Sequence, residues 1–232
     1  MRILRRSSPR EAVASKPPTL MPRIHDQLRL AERHLAQTDP VMAGLIERYG
    51  PCGLASRRRE PFQVLCASII SQQISSRAAD TIQARVVGAF GERGRIDAAR
   101  LAAADLNALR ACGLSQAKSR WLQNLGAQTA SGTLDFRKLR RMEDEAAIEV
   151  LDALPGIGRW TAEMFLMFAL HRLDLFAMDD IGLRRGVNLL YGKGRKLSDP
   201  HTLRIVRPWA PYRTVACWYL WRYADPDTQT WA

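Results

Sequence analysis

Lysine is scarce in this chain. Only Lys16, Lys118, Lys138, Lys193 and Lys196 occur among 232 residues, so a net charge of +12 is carried overwhelmingly by arginine. Cysteine is also sparse, and Cys52, Cys66, Cys112 and Cys217 are spread singly. They lack the close spacing of a zinc or iron–sulfur site and read as reduced structural thiols of a cytosolic protein. No run of about eighteen apolar residues occurs, and no apolar core follows the basic N-terminus, which argues against membrane insertion and secretion. Internal repeats and convincing runs of alternating polarity are missing as well.

What is present is ordinary in bulk and unusual in sign. A hydrophobic content of 47% and a charged content of 25% suit a folded protein with a substantial core. Arginine's planar fork fits phosphates, so the positive balance points to a polyanionic partner; an arginine-rich surface also arises from a GC-rich genome. Residues 1–20 hold five basic residues against Glu11, with Ser7, Ser8, Pro9, Pro17 and Pro18, and read as a disordered basic tail. Without that tail, 30 basic and 22 acidic residues still leave +8, so the body is basic in its own right.

Helical periodicity predicts an all-α fold of roughly eleven short helices joined by short turns. An amphipathic segment covers 23–37, and Asp39-Pro40 opens a helix to Tyr49. A basic loop over 51–60 precedes a strongly apolar helix from Pro61, which is broken by Ser71-Gln72-Gln73. Further helices are expected over 75–90 (closed by Gly91), 103–113, 116–129, 143–153 and 159–170. The last three run from Asp179 or Asp180 to Gly192, over 198–206 and over 211–223.

Two motifs carry chemistry. Leu154-Pro155-Gly156-Ile157-Gly158-Arg159-Trp160-Thr161-Ala162 reads as a tight hairpin between the 143–153 and 159–170 helices. Glycine at 156 and 158 permits backbone conformations that a Cβ opposes and leaves bare N–H groups for a phosphate. The positive end of the following helix adds attraction. About twenty residues later, Met178-Asp179-Asp180 places a carboxylate at the start of another helix. A phosphate anchor followed at that distance by a carboxylate suggests chemistry on nucleic acid.

The combination resembles the helix-hairpin-helix DNA glycosylases, and Trp160 within the hairpin resembles the bacterial 3-methyladenine DNA glycosylase II branch. The resemblance covers about residues 25–225. It implies a central helical subdomain over 61–170 ending in the hairpin and a second formed by 22–60 plus 171–232, with the active cleft between them. Known bacterial members often begin with a mixed α/β domain; only about 60 helical residues precede Pro61, so a short form without it is expected. The resemblance places the catalytic carboxylate on Asp180 and leaves a capping role to Asp179. It makes Gly156, Ile157, Gly158, Arg159 and Thr161 the phosphate-binding hairpin, with Na+ or K+ at the carbonyls of Leu154 and Ile157. No iron–sulfur cluster and no required cofactor are expected.

Relatives that also nick the strand carry a lysine at the position of Trp160. Tryptophan forms no Schiff base, so a monofunctional enzyme leaving an abasic site is expected. Alkylated purines such as 3-methyladenine and 7-methylguanine, with 1-methyladenine and 3-methylcytosine as further candidates, are cationic partners for an aromatic face. Trp160, Trp218 and Met164 are carried over as the base pocket, Met164 standing where the family's best-known enzyme has a tyrosine. Gln73, with Gln72 beside it, matches the loop residue that fills the hole left by a flipped base. Trp121, Trp209 and Trp221 are assigned to core packing, and Lys118 and Lys138 to the surface. Double-stranded DNA is the expected partner of a monomeric, cytoplasmic, bacterial nucleoid-associated protein. Two other readings stay open: a non-catalytic helix-hairpin-helix DNA clamp, and a glycosylase for deaminated or ethenylated bases.

Overall fold

The computed structural model describes residues 23–54 and 60–225; the tail 1–20 and the basic stretch 55–59 lie outside them. The described residues form thirteen α-helices and one two-stranded hairpin. In chain order the helices are α1 Ile24–Thr38, α2 Pro40–Tyr49, α3 Pro61–Ser71, α4 Ser76–Phe90, α5 Ala98–Ala102 and α6 Leu106–Ala111. They continue with α7 Gln116–Ala130, α8 Phe136–Leu139, α9 Asp144–Asp152, α10 Arg159–Phe168, α11 Ile181–Tyr191, α12 Asp199–Val206 and α13 Arg213–Ala224. No described helix is long and apolar enough to cross a membrane.

The helix starts follow from side-chain capping. Asp39, Ser75, Asp97, Asp105, Ser115 and Asp135 each accept a backbone N–H of the helix they open, satisfying donors that the first turn leaves unpaired. Asp97 and Asp105 replace the single helix expected from Ala103 by two short ones. The exception to the all-helical reading is an antiparallel hairpin, Gly91–Glu92 (β1) with Arg95–Ile96 (β2), pairing Gly91 with Ile96 and Glu92 with Arg95. Its two-residue turn has φ of 52° at Arg93 and 76° at Gly94, the geometry that matches strand twist. Two residues per strand are too few to show alternation in sequence. The Gln63 side chain extends this ribbon, its amide pairing with both the N–H and the C=O of Ile96 at 3.0 and 2.8 Å.

Two sets of helices pack around a continuous core. α11 lies on α13, with α1 and α2 against α13, while α3 contacts α4, α7 and α10, α7 contacts α5 and α6, and α9 contacts α10. Buried Asp39 ties the first set together: besides capping α2 it accepts Tyr191 Oη at 2.8 Å and Trp209 Nε1 at 2.9 Å. The connection from α10 to α11 is fastened to α13. Arg213 donates a fork to Asp174 at 2.7 and 2.9 Å, and Leu175 N–H donates to Thr214 Oγ1 at 2.9 Å. Such planar two-point pairing sets orientation as well as distance. It therefore fixes where Asp180, six residues further on, enters α11.

Candidate active site

The hairpin between α9 and α10 is tight: Ile157 N–H donates to Leu154 C=O at 3.0 Å, and Ile157 is buried. Its two glycines do different work. Gly156 has φ +85°, and a Cβ there would lie 2.5 Å from the Trp121 ring. Gly158 has an ordinary φ of −92° and open space where its Cβ would be. The expectation that both glycines answer a conformational need is therefore corrected: only Gly156 does. Gly158 is the residue preceding α10, and no side chain caps its first N–H groups. Backbone N–H groups at a helix start carry partial positive charge, which favours an anion beside them.

Arg159 does not point freely at that site. Its guanidinium bonds Glu145 of α9 at 2.7 Å and pairs with Glu163 at 3.3 Å, cross-linking the two arms of the hairpin. Glu163 is buried, and burial pushes its carboxyl pKa up.

The loop between α3 and α4 reaches the same place. Gln72 Nε2 donates to Gly156 C=O at 2.8 Å, so Gln72 braces the hairpin. Gln73 is exposed with φ +57°, a left-handed conformation that costs about 1–2 kcal/mol for a residue with a Cβ. Lys118 is not a free surface residue: its ammonium donates to Ile70 C=O at 2.8 Å and Gln72 C=O at 2.6 Å. Lys138 is exposed.

Asp180 is the N-cap of α11. Its Oδ1 accepts Leu183 N–H at 2.7 Å and Trp221 Nε1 at 2.9 Å, while Oδ2 accepts Trp160 Nε1 at 2.9 Å. The capping role assigned to Asp179 belongs to Asp180, and Asp179 is exposed. Asp180 is only 7% exposed, whereas Trp160 is 41% and Ile181 84% exposed. A nearly buried carboxylate held by three N–H donors thus sits behind an exposed indole. Trp160, Met164 and Phe168 recur every four residues along α10 and share one face. Phe168 packs on Trp221 with ring centroids 5.6 Å apart, closing the circle from Trp160 through Asp180 to Trp221. Met164, between them, is buried.

Trp218 has other partners. It lies edge-on to Tyr219 at 4.9 Å, beneath the Arg222 guanidinium at 5.2 Å and against Gly53. The indole of α13 that reaches the carboxylate is Trp221, which the sequence reading assigned to the core. Sequence had no means of choosing between them, because α13 is buried from Thr214 to Trp221 and no polar face sets its rotation. Trp209 is fully buried, in keeping with a core role, and Trp121 forms the floor under Gly156.

All four cysteines are buried and free. Burial pushes the Cys52 thiol up to about 12 and raises those of Cys66, Cys112 and Cys217 as well. These are packing thiols, not nucleophiles.

The model of the HhH-GPD superfamily of base excision DNA repair proteins matches residues 66–211. DNA-3-methyladenine glycosylase 1 of Schizosaccharomyces pombe is 32% identical over 199 residues, 84% of this chain and 87% of that protein. The crystal structure of a DNA-3-methyladenine glycosidase from Bacillus halodurans superposes with a TM-score of 0.74 at 40% identity, covering 83% of this chain and 87% of the other. The Schizosaccharomyces pombe 3-methyladenine DNA glycosylase in complex with abasic DNA superposes with a TM-score of 0.66 at 31% identity, covering 83% and 95%.

Proposed function

This chain belongs to the HhH-GPD superfamily of base excision DNA repair proteins, and we propose that it is a monofunctional glycosylase that removes alkylated bases from duplex DNA. The single observation that carries this reading is the Asp180 carboxylate, held by Leu183 N–H, Trp221 and Trp160 immediately behind an exposed indole. A clamp that only grips phosphates needs no carboxylate held in one orientation by two indole N–H groups.

Cleaving the N-glycosidic bond builds positive charge on the deoxyribose as the base leaves. A fixed negative charge about 4 Å away is worth roughly 4 kcal/mol at an effective dielectric near 20. If realised only in the transition state, that is about a thousandfold in rate. The three donors hold the carboxylate in one orientation, so little reorganisation is needed as the charge develops. In this reading Asp180 also orients the attacking water. Trp160 offers an accessible aromatic face to a cationic base such as 3-methyladenine or 7-methylguanine, with 1-methyladenine and 3-methylcytosine as further substrates. With tryptophan in place of lysine, hydrolysis ends at an abasic site.

In this reading the bare backbone at Gly158 and the start of α10 take a DNA phosphate. Hairpin carbonyls are hard donors that suit Na+ or K+. The Leu154 and Ile157 carbonyls would hold the ion and lend the phosphate a countercharge. Gln73 fills the space vacated by the flipped base, and the protein acts as a monomer.

The test is single-turnover base release from methylated duplex DNA. Asp180→Asn keeps a capping oxygen for Leu183 but turns an amide donor toward one of the indoles. It should lower release about a thousandfold while duplex affinity persists. Equal rates for the two proteins would remove Asp180 from the chemistry.

A further inference from the structure

Lys118 occupies an unfavourable place. It lies in the first turn of α7, where the helix end is itself positive, and it is half-buried, with burial lowering its pKa. A lysine with no task would extend into solvent. Its ammonium instead reaches back 46 residues in sequence to Gln72 C=O at 2.6 Å and to Ile70 C=O at 2.8 Å. Those carbonyls belong to the last turn of α3 and the residue after it. They are acceptors that a helix end leaves unsatisfied, at its negative pole. Glycine commonly closes such an end; here Gln72 follows α3 and a cation from another helix does the work.

The next link runs outward. Gln72, gripped at its carbonyl by Lys118, uses its side-chain amide to bond Gly156 C=O at 2.8 Å. Between this brace and the start of α4, capped by Ser75, stands Gln73, exposed and left-handed at φ +57°. A residue persists in such a conformation when its surroundings over-determine it. Lys118, Gln72 and the hairpin supply that constraint from one side and the Ser75 cap from the other.

We propose that Lys118 and Gln72 are positioning residues that lock the Gln73 loop to the phosphate-binding hairpin, so that anchoring the backbone and everting the base occur at a fixed relative height. The inference rests on the reading of Gln73 as the residue inserted into duplex DNA. It assigns no chemistry to Lys118, which touches neither substrate nor Asp180 and acts only through the loop.

The experiment compares Lys118→Met, which keeps the length of the side chain and removes its donors, with the unaltered chain and with Gln73→Ala. Single-turnover release is measured for one alkylated base in a fully paired duplex and in a single strand, where no eversion is needed. Loop insertion is read without chemistry, from the fluorescence of 2-aminopurine placed opposite an abasic analogue. Lys118→Met should lower the duplex rate by about tenfold, within the range for residues sharing one hydrogen-bond network, with little change on the single strand. It should also lose the fluorescence rise, and the double variant with Gln73→Ala should lose no more than Gln73→Ala alone.

Parallel losses on both substrates, or additive losses in the double variant, would reduce Lys118 to a helix-end support and overturn the proposal; an unchanged duplex rate would do the same. If Lys118→Met does not fold, Gln72→Leu cuts only the link to the hairpin and runs the same comparison. An unaltered protein that releases no base from either substrate would count against the proposed activity, and the fluorescence assay would still decide the brace.

Discussion

The two hairpin glycines allow stability and DNA binding to be separated by single methyl groups. Alanine at 156 must adopt φ near +85° and place its Cβ 2.5 Å from the Trp121 ring. The left-handed conformation costs about 1–2 kcal/mol, and forcing apart a packed indole costs about 1–3 kcal/mol more. A combined loss of about 2–5 kcal/mol corresponds to a drop of about 4–20 °C in melting temperature for a chain of this size. Alanine at 158 meets nothing within 4 Å and keeps φ at −92°, so only the modest difference between glycine and alanine at a helix start remains, under about 1 kcal/mol. In the proposed complex, however, its methyl group stands between the backbone and the phosphate. Thermal unfolding and fluorescence anisotropy on a labelled duplex over a salt series would read both effects. Gly156→Ala should melt early. Gly158→Ala should melt within a few degrees of the unaltered protein but bind more weakly at every salt concentration, with the salt slope little changed, because an uncharged backbone N–H releases no counterion. Full affinity for Gly158→Ala would refute the phosphate assignment, and an unchanged melting temperature for Gly156→Ala would refute the packing argument.

Three other outcomes follow from the same geometry. Trp221→Phe removes a donor from Asp180 Oδ1 and should slow base release about ten- to a hundredfold, the range for a hydrogen bond to a charged group, whereas Trp218→Phe should leave it unchanged; equal losses in single-turnover rates would refute this assignment of the two indoles. A Cβ on Gly182 would lie 3.0 Å from the Trp221 ring and 3.2 Å from Asp180 Oδ1, so Gly182→Ala should slow release without lowering the melting temperature, because alanine favours the helix by up to about 1 kcal/mol. Burial raises the folded-state pKa of Glu163, so its neutral form favours folding below the unfolded carboxyl pKa of about 4.3 and the advantage is lost as pH rises through the raised value. Glu163→Gln should therefore melt above the unaltered protein at pH 7 and level with it near pH 3.5; a gap that widens in acid would contradict the sign.

Much of the architecture was legible because it is written locally. Asp39-Pro40, Ser75 and Ser115 announce helix starts through their own side chains, and Gly156 announces a turn through the missing Cβ. Features that depend on few residues or on distant partners were not legible. The β1–β2 hairpin is too short to show a period, and Lys118 is one lysine in a polar helix start until the carbonyls of Ile70 and Gln72 are placed beside it.

The sequence by itself determined the helical class, the hairpin that opens α10, and the presence of a carboxylate just ahead of α11, because capping, turn geometry and the 3.6-residue period act over a few neighbouring residues. Only the tertiary structure decided which aspartate caps α11, which of two indoles three residues apart on α13 meets that carboxylate, and what holds Gln73 upright. Each of those depends on the rotation of one helix against another, and a helix buried on every side, as α13 is from Thr214 to Trp221, carries no pattern in its own residues from which that rotation can be read.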